Sequence, residues 1–195
     1  MSQQDQKKAV IRRADRPGDL GWVVMAHGEA YDRQFGWNTE FEVLVAKIVA
    51  DYGSEHDPAR EAGWIAEVDG RRVGCIFLIA GEEPKVAKLR VLLVTEEGRG
   101  LRLGTRLVEE CLAFAREVGY QQVTLWTNDV LTAARRIYQR FGFELADEER
   151  HHSYGHDLVG QNWILDLNAA AADPTRTGDD LARIGKIAPT AVSSA

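Results

Sequence analysis

Apolar positions along the chain repeat with two periods, and the switches between them lay out the elements. Residues 9–14 read as a short strand, closed by the punctuation of residues 15–19, where Pro17 suits a helix start. From Leu20 the spacing is helical (Leu20, Val23, Val24, His27, Tyr31), and Gly36 is placed to stop that helix. Thr39 and Glu42 have capping-box spacing, and Phe41, Leu44, Val45, Ile48, Val49 and Tyr52 give a second helical stripe. Residues 53–60 read as a polar loop. Two apolar runs, 64–68 and 72–80, flank Asp69-Gly70, a short-range hairpin signal. Residues 86–94 form another strand-like run, and 95–101 a loop rich in glycine and charge. Leu103, Leu107, Cys111, Phe114 and Val118 share the face of a long helix that Gly119 terminates. A strand over 122–127, a helix over 130–141, a strand beginning at 143–146 and a strand over 163–167 complete the pattern. The order β-α-α-β-β-β-α-β-α-β-β predicts an α/β (α+β) architecture with antiparallel hairpins and at least one β-α-β crossover.

Composition narrows the classes. At 195 residues, with 45% hydrophobic and 28% charged positions, the chain suits one domain. We expect a leader over residues 1–8, a folded domain over 9–168 and a tail over 169–195 with room for one short helix. The net charge of −6 argues against bulk attraction to nucleic acid or an anionic membrane. Cys75 and Cys111 are too few for a disulfide framework or a zinc ribbon, and read as small buried apolar groups. No apolar run approaches the ~18 residues of a spanning helix, and the N-terminus lacks a signal-peptide stretch, so a cytoplasmic protein is expected.

The candidate chemistry begins where the strand of residues 86–94 runs through a glycine-containing loop into the long helix. The first turn of a helix has amide groups without intrahelical partners and partial positive charge, which suits a phosphate or diphosphate. Gly98, Gly100 and Gly104 let the backbone come close to a ligand, and Arg99, Arg102 and Arg106 add charge. Neither the nucleotide P-loop nor the dinucleotide GxGxxG fingerprint fits: no Lys lies in the loop, and the third glycine of the latter falls on Leu103.

Val94 followed by Arg99-Gly-Leu-Arg-Leu-Gly104 and a helix resembles the acetyl-CoA motif of the GNAT N-acetyltransferase superfamily, (Gln or Arg)-x-x-Gly-x-(Gly or Ala). Ala134, Tyr138 and Phe141-Gly-Phe143 resemble its Ala-xxx-Tyr-xxx-Gly-Phe ending. The resemblance covers residues 9–167. The stretches His27-Gly28, Gly36-Trp37, Leu125-Trp-Thr-Asn-Asp129 and 151–160 are similar to the acetyltransferase half of bacterial MarR–GNAT fusion proteins, of which this chain looks like the stand-alone counterpart. Two positions depart from the pattern. Arg102 stands where the motif has its first glycine, and Leu131 where many relatives carry an Asn, a contact that Asn128 is positioned to take over.

The resemblance implies a mixed, mostly antiparallel central sheet flanked by helices, with a β-α-β acetyl-CoA-binding core. It implies direct transfer of an acetyl group from acetyl-CoA to an amine, with no metal. The backbone of Leu92, Leu93 and Val94 would pair with the pantetheine arm. Arg99, Gly100, Leu101, Arg102, Leu103, Gly104 and Thr105 would hold the diphosphate, and Tyr138 would give a proton to the departing thiolate. The general base stays open among Glu29, His27 and a water relay, since residues 87–94 carry Lys88 and Arg90 but no carboxylate. Arg90 suits a substrate carboxylate or a structural ion pair; Trp37 and His151 are further candidates for the acceptor pocket. His151 and His152 are adjacent and so point to opposite faces of a strand, which disfavours a shared metal ion. The expected partner is a small-molecule amine, an amino acid or related metabolite, with no nucleic acid and no membrane, and a homodimer is admissible. A protein lysine or N-terminal acceptor, a non-catalytic acyl-CoA-sensing module and an unrelated nucleotide-binding fold are the alternatives.

Overall fold

The computed structural model describes residues 8–168; the expected tail and all but the last residue of the expected leader lie outside the described residues. The elements are β1 (Ala9–Arg13), α1 (Asp19–Phe35), α2 (Thr39–Glu55), β2 (Ala62–Val68), β3 (Arg71–Ala80), β4 (Val86–Val94), a 3-10 turn (Glu96–Gly98), α3 (Leu103–Glu117), β5 (Gln122–Asn128), α4 (Thr132–Arg140), β6 (Glu144–Ser153) and β7 (His156–Asp166). The strands form one sheet in the order β1-β2-β3-β4-β5-β7-β6. Only β4 and β5 run parallel; every other neighbouring pair is antiparallel. This is the mixed, mostly antiparallel sheet that the pattern and the resemblance predict.

Local chemistry sets the boundaries. Gly36 ends α1 in the left-handed region at φ 69°, its amide donating to the Asp32 carbonyl at 2.7 Å. Asn38, rather than the expected Thr39–Glu42 box, caps α2: its Oδ1 accepts from the Glu40 amide at 3.0 Å. That helix runs on through Gly53 to Glu55, past the expected loop start. The β2–β3 and β6–β7 turns each place two residues at positive φ, Asp69-Gly70 and Tyr154-Gly155, the geometry whose twist matches a two-residue hairpin. The β6–β7 hairpin extends far beyond the expected strands at 143–146 and 163–167. Strand β6 lies at the sheet edge and buries almost nothing, so no apolar alternation announces it.

Two cores sandwich the sheet. On one face α3 and α4 pack Leu103, Leu107, Cys111 and Tyr138 against Ile76, Leu78 and Leu89. On the other, α1 and α2 pack Val23, Val45, Val49 and Tyr52 against Cys75, Phe77 and Leu93. The start of α1 is pinned by Asp19, whose fully buried carboxylate accepts from Arg12 at 2.7 and 3.0 Å, from Arg72 at 2.8 Å and from the Arg16 amide at 3.0 Å. Burial alone would raise its pKa; the hydrogen bonds from Arg12, Arg16 and Arg72 outweigh that and bring it to about 2. The start of α1 is thereby tied to β1 and β3.

Candidate active site

The parallel β4–β5 ladder ends early. Leu89 pairs with Leu125, and beyond them β4 has no partner on its β5 side, although it pairs with β3 to Val94 and β5 with β7 to Asn128. The strands part because β4 carries a bulge. Phe77 opposes Arg90 and Cys75 opposes Leu93, so Val91 and Leu92 together oppose Ile76. Val91 sits in the left-handed region at φ 46°, a strained conformation for a β-branched residue. The Cys75 thiol donates to the Val91 carbonyl at 3.3 Å and holds the bulge from the neighbouring strand. The backbone of Leu92, Leu93 and Val94 thus presents one free edge to the gap between the parting strands, an edge that an amide-bearing arm can join as an extra strand.

That edge leads to the loop before α3. No side chain caps α3, and its first helical bond runs from the Arg106 amide to the Arg102 carbonyl at 3.1 Å. The amides of Leu103, Gly104 and Thr105 therefore have no intrahelical partner and point out of the helix start. Arg102 occupies the left-handed region at φ 55°, the conformation a glycine adopts freely, so the departure from the motif changes the residue and keeps the backbone. Gly104 packs closely on α4: a Cβ there would lie 2.8 Å from the Ile137 Cδ1, a contact that a shift of that side-chain end relieves. Arg99 and Arg102 are exposed, and Arg106 is half-buried. A free strand edge running into an uncapped, arginine-flanked helix start fits a pantetheine arm and its diphosphate.

Tyr138 lies on α4 within the core shared with α3, 5% exposed, with its ring 5.7 Å from that of Phe143. Burial pushes its phenol well above the usual tyrosine range, and the phenol of Tyr31 and the thiol of Cys111 add to the shift. At neutral pH it is a protonated donor.

Across the sheet lies the second half of the site. Tyr31, Trp37, Phe41 and Tyr154 form a continuous aromatic wall, with ring centroids 4.4 to 5.2 Å apart. Three hydrogen bonds clip the α1–α2 connection to the β6–β7 turn: Asn38 amide to Tyr154 carbonyl at 3.2 Å, Tyr154 amide to Glu40 Oε2 at 2.8 Å, and His156 Nε2 to Gly36 carbonyl at 3.1 Å. His151 stands between Ser153 and Asn128, with both contacts at 2.9 Å, and its ring is 5.6 Å from that of Trp126. Asn128 is buried, and its Oδ1 is engaged by that histidine. Arg90 is half-buried and shares the α1–α2 face with Phe77, its cross-strand neighbour.

Of the two candidate bases, His27 borders the aromatic wall, its ring 5.9 Å from that of Tyr31 and 6.3 Å from that of Phe41. His27 is 1% exposed; its Nδ1–H donates to the Val23 carbonyl at 2.8 Å, and Nε2 has no partner. Burial lowers its pKa to about 4. Glu29 is exposed and lines a cleft of about 400 Å³ with Arg33, the β2–β3 turn and residues 95–97. Three contributors have no motif to announce them. Tyr31 reads as one more stripe residue, Tyr154 as part of a polar turn, and Cys75 as a buried apolar group. Among the described residues no cluster of three or more His, Cys, Asp or Glu gathers as a metal site, and no helix is long and apolar enough to cross a membrane.

Such a geometry is that of an enzyme that takes an acyl group from a long thioester carrier. The family model described as Acetyltransferase (GNAT) family matches residues 22–143, and the chain belongs to that family, whose members use acetyl-CoA as the acetyl donor. It is 30% identical over 138 residues to an uncharacterized N-acetyltransferase of Schizosaccharomyces pombe, covering 69% of this chain and 82% of that protein. It is 35% identical over 147 residues to a mycothiol acetyltransferase of Sanguibacter keddieii, covering 70% of this chain and 44% of that protein. Several curated relatives are matched over only about a third to a half of their length. In fold, an acetyltransferase from Salmonella typhimurium solved with acetyl-CoA superimposes with a TM-score of 0.63 at 18% identity, covering 88% of this chain and 98% of that one.

Proposed function

We propose that the chain transfers the acetyl group of acetyl-CoA directly to the primary amine of a small molecule, an amino acid or related metabolite. The observation that carries the small acceptor is the clip between the α1–α2 connection and the β6–β7 turn, which roofs the aromatic wall with three hydrogen bonds. A protein-lysine acceptor needs an open groove on that side. Kinship with the acetyltransferase half of MarR–GNAT fusions, a cytoplasmic setting and a homodimer belong to the same reading.

In this scheme the free edge of Leu92, Leu93 and Val94 aligns the pantetheine arm, and the amides of residues 103–105 with Arg99 and Arg102 hold the diphosphate. The neutral amine nitrogen bonds the acetyl carbon as the carbon–sulfur bond breaks. The nitrogen loses its extra proton through water, and the thiolate takes one from Tyr138, whose buried phenol is refilled from solvent. Trp37, Arg90 and His151 face the acceptor. His27, nearly neutral and orphaned at Nε2, and the exposed Glu29 are weaker candidates for the base than the water relay. Thiol release from acetyl-CoA across amino acids, polyamines, aminoglycosides and peptides tests the reading. We expect turnover with a small amine, and Tyr138→Phe to lower kcat about 100-fold with CoA affinity unchanged. Tight CoA binding without turnover of any amine, and a Tyr138→Phe variant indistinguishable from the unaltered protein, would favour a non-catalytic acyl-CoA-sensing module instead.

A further inference from the structure

Arg90 has chemistry that acetyl transfer by itself does not require. Its guanidinium is half-buried in the middle of a sheet, and neither a hydrogen bond nor an ion pair joins it to another described residue. The groups that act on it are the phenol of Tyr154 and the carboxylate of Asp51, the latter beyond ion-pair reach. Among the described residues the other half-buried arginines are Arg106, which lies in the first turn of α3 at the proposed diphosphate site, and four with observed contacts. Arg12 and Arg72 hold Asp19, while Arg60 and Arg135 bond backbone carbonyls and lie over Tyr120 and Trp163. A desolvated cation with no counter-charge is costly, and such a position is kept where an anion arrives.

Its placement says where that anion would sit. Arg90 is the last residue of β4 before the strained Val91, at the point where β4 leaves β5. It faces α1 and α2, whereas the uncapped start of α3 and Tyr138 belong to the other face. The two anion sites are thus sorted to opposite faces of the sheet, with the strand gap between them. Of the wall residues Tyr154 acts on the guanidinium directly, and the burial of Arg90 strengthens a charge-assisted bond there.

We propose that Arg90 binds the carboxylate of the acceptor in two parallel hydrogen bonds, so that the acceptors are amines that carry a carboxylate close to the nitrogen, the amino-acid class. This rests on the acetyl-transfer reading above. Pairing the carboxylate with the guanidinium also cancels the negative charge that would otherwise keep the neighbouring amine as an ammonium ion, and so favours the neutral nucleophile.

The test compares matched product analogues on the CoA-saturated protein by ligand-observed NMR titration: N-acetyl-L-alanine, N-acetyl-L-phenylalanine and N-acetyl-L-glutamate, each against its α-amide. For at least one pair the acid should bind about tenfold or more tightly than the amide. Arg90→Gln should bring the acid down to the amide's affinity and leave the amide and CoA affinities unchanged, and Arg90→Lys should restore part of the preference. Equal binding of every acid and its amide, absence of binding by every acid, or a preference that survives Arg90→Gln would overturn the assignment. The acid–amide comparison on the unaltered protein needs neither a variant nor turnover. Loss of CoA binding or of thiol release with all amines would instead overturn the transfer reading.

Discussion

Burial, partly opposed by one backbone hydrogen bond, sets the charge state of His27. One ring nitrogen is bonded to the carbonyl one helical turn back, the other is orphaned, and the surrounding core lowers the pKa from 6.5 to about 4. The imidazole is therefore neutral in the folded chain throughout the physiological range and protonates more readily once unfolded. The folded-state value is the lower one, so the stabilisation is complete above pH 6.5 and is lost as pH falls toward 4. By pH 5 the loss is roughly 2 kcal/mol. Urea unfolding at pH 7 and pH 5 should show the unaltered protein losing about that much more than His27→Leu, a swap that keeps the apolar volume. The same burial acts oppositely on Tyr138: the phenol keeps its proton, which is the state a donor needs.

At the level of elements, the site depends on one strand and one helix that both adopt unfavourable backbone. Val91 and Arg102 sit at φ 46° and 55°. The first parts β4 from β5 and is braced by the Cys75 thiol; the second turns the chain into α3 and leaves its amides uncapped. A left-handed conformation costs a non-glycine residue about 1–2 kcal/mol. Arg102→Gly and Arg102→Ala remove the same charge, so their difference isolates the backbone. Urea denaturation should find the glycine variant more stable by about 1 kcal/mol, and the two should weaken CoA binding alike. Equal stabilities would mean that the left-handed turn is not retained.

Over the whole molecule, the proposed acceptor side is assembled from segments far apart in the chain. The Tyr154 amide reaches Glu40 across 114 positions, and His156 reaches Gly36 across 120. Cutting this clip should loosen the acceptor site without touching the donor site. Glu40→Ala removes a charged hydrogen-bond acceptor, an interaction of about 1.5 kcal/mol, so steady-state kinetics should show the acceptor KM rising about tenfold while CoA affinity is unchanged. A fall in kcat at constant KM would instead place the clip in the chemistry.

The elements that bury an apolar stripe or end at a glycine could be read along the chain: the two central helices, the Asp69-Gly70 hairpin, β4 and the whole of α3. Their signals are local, because periodicity and turn chemistry depend on residues within a few positions of one another. The proposed donor half rests on equally local signals, since Arg99 to Gly104 and Tyr138 lie in compact runs whose spacing is itself the message. Strand β6 was not legible, because an exposed acidic edge carries no alternation. Nor was the proposed acceptor half. That the thiol of Cys75 braces Val91, that Tyr31 and Tyr154 share a wall, and that Arg90 has no hydrogen-bond or ion-pair partner among the described residues are facts about which distant segments meet. Only the register of the sheet and the packing of α1 and α2 over it decide those.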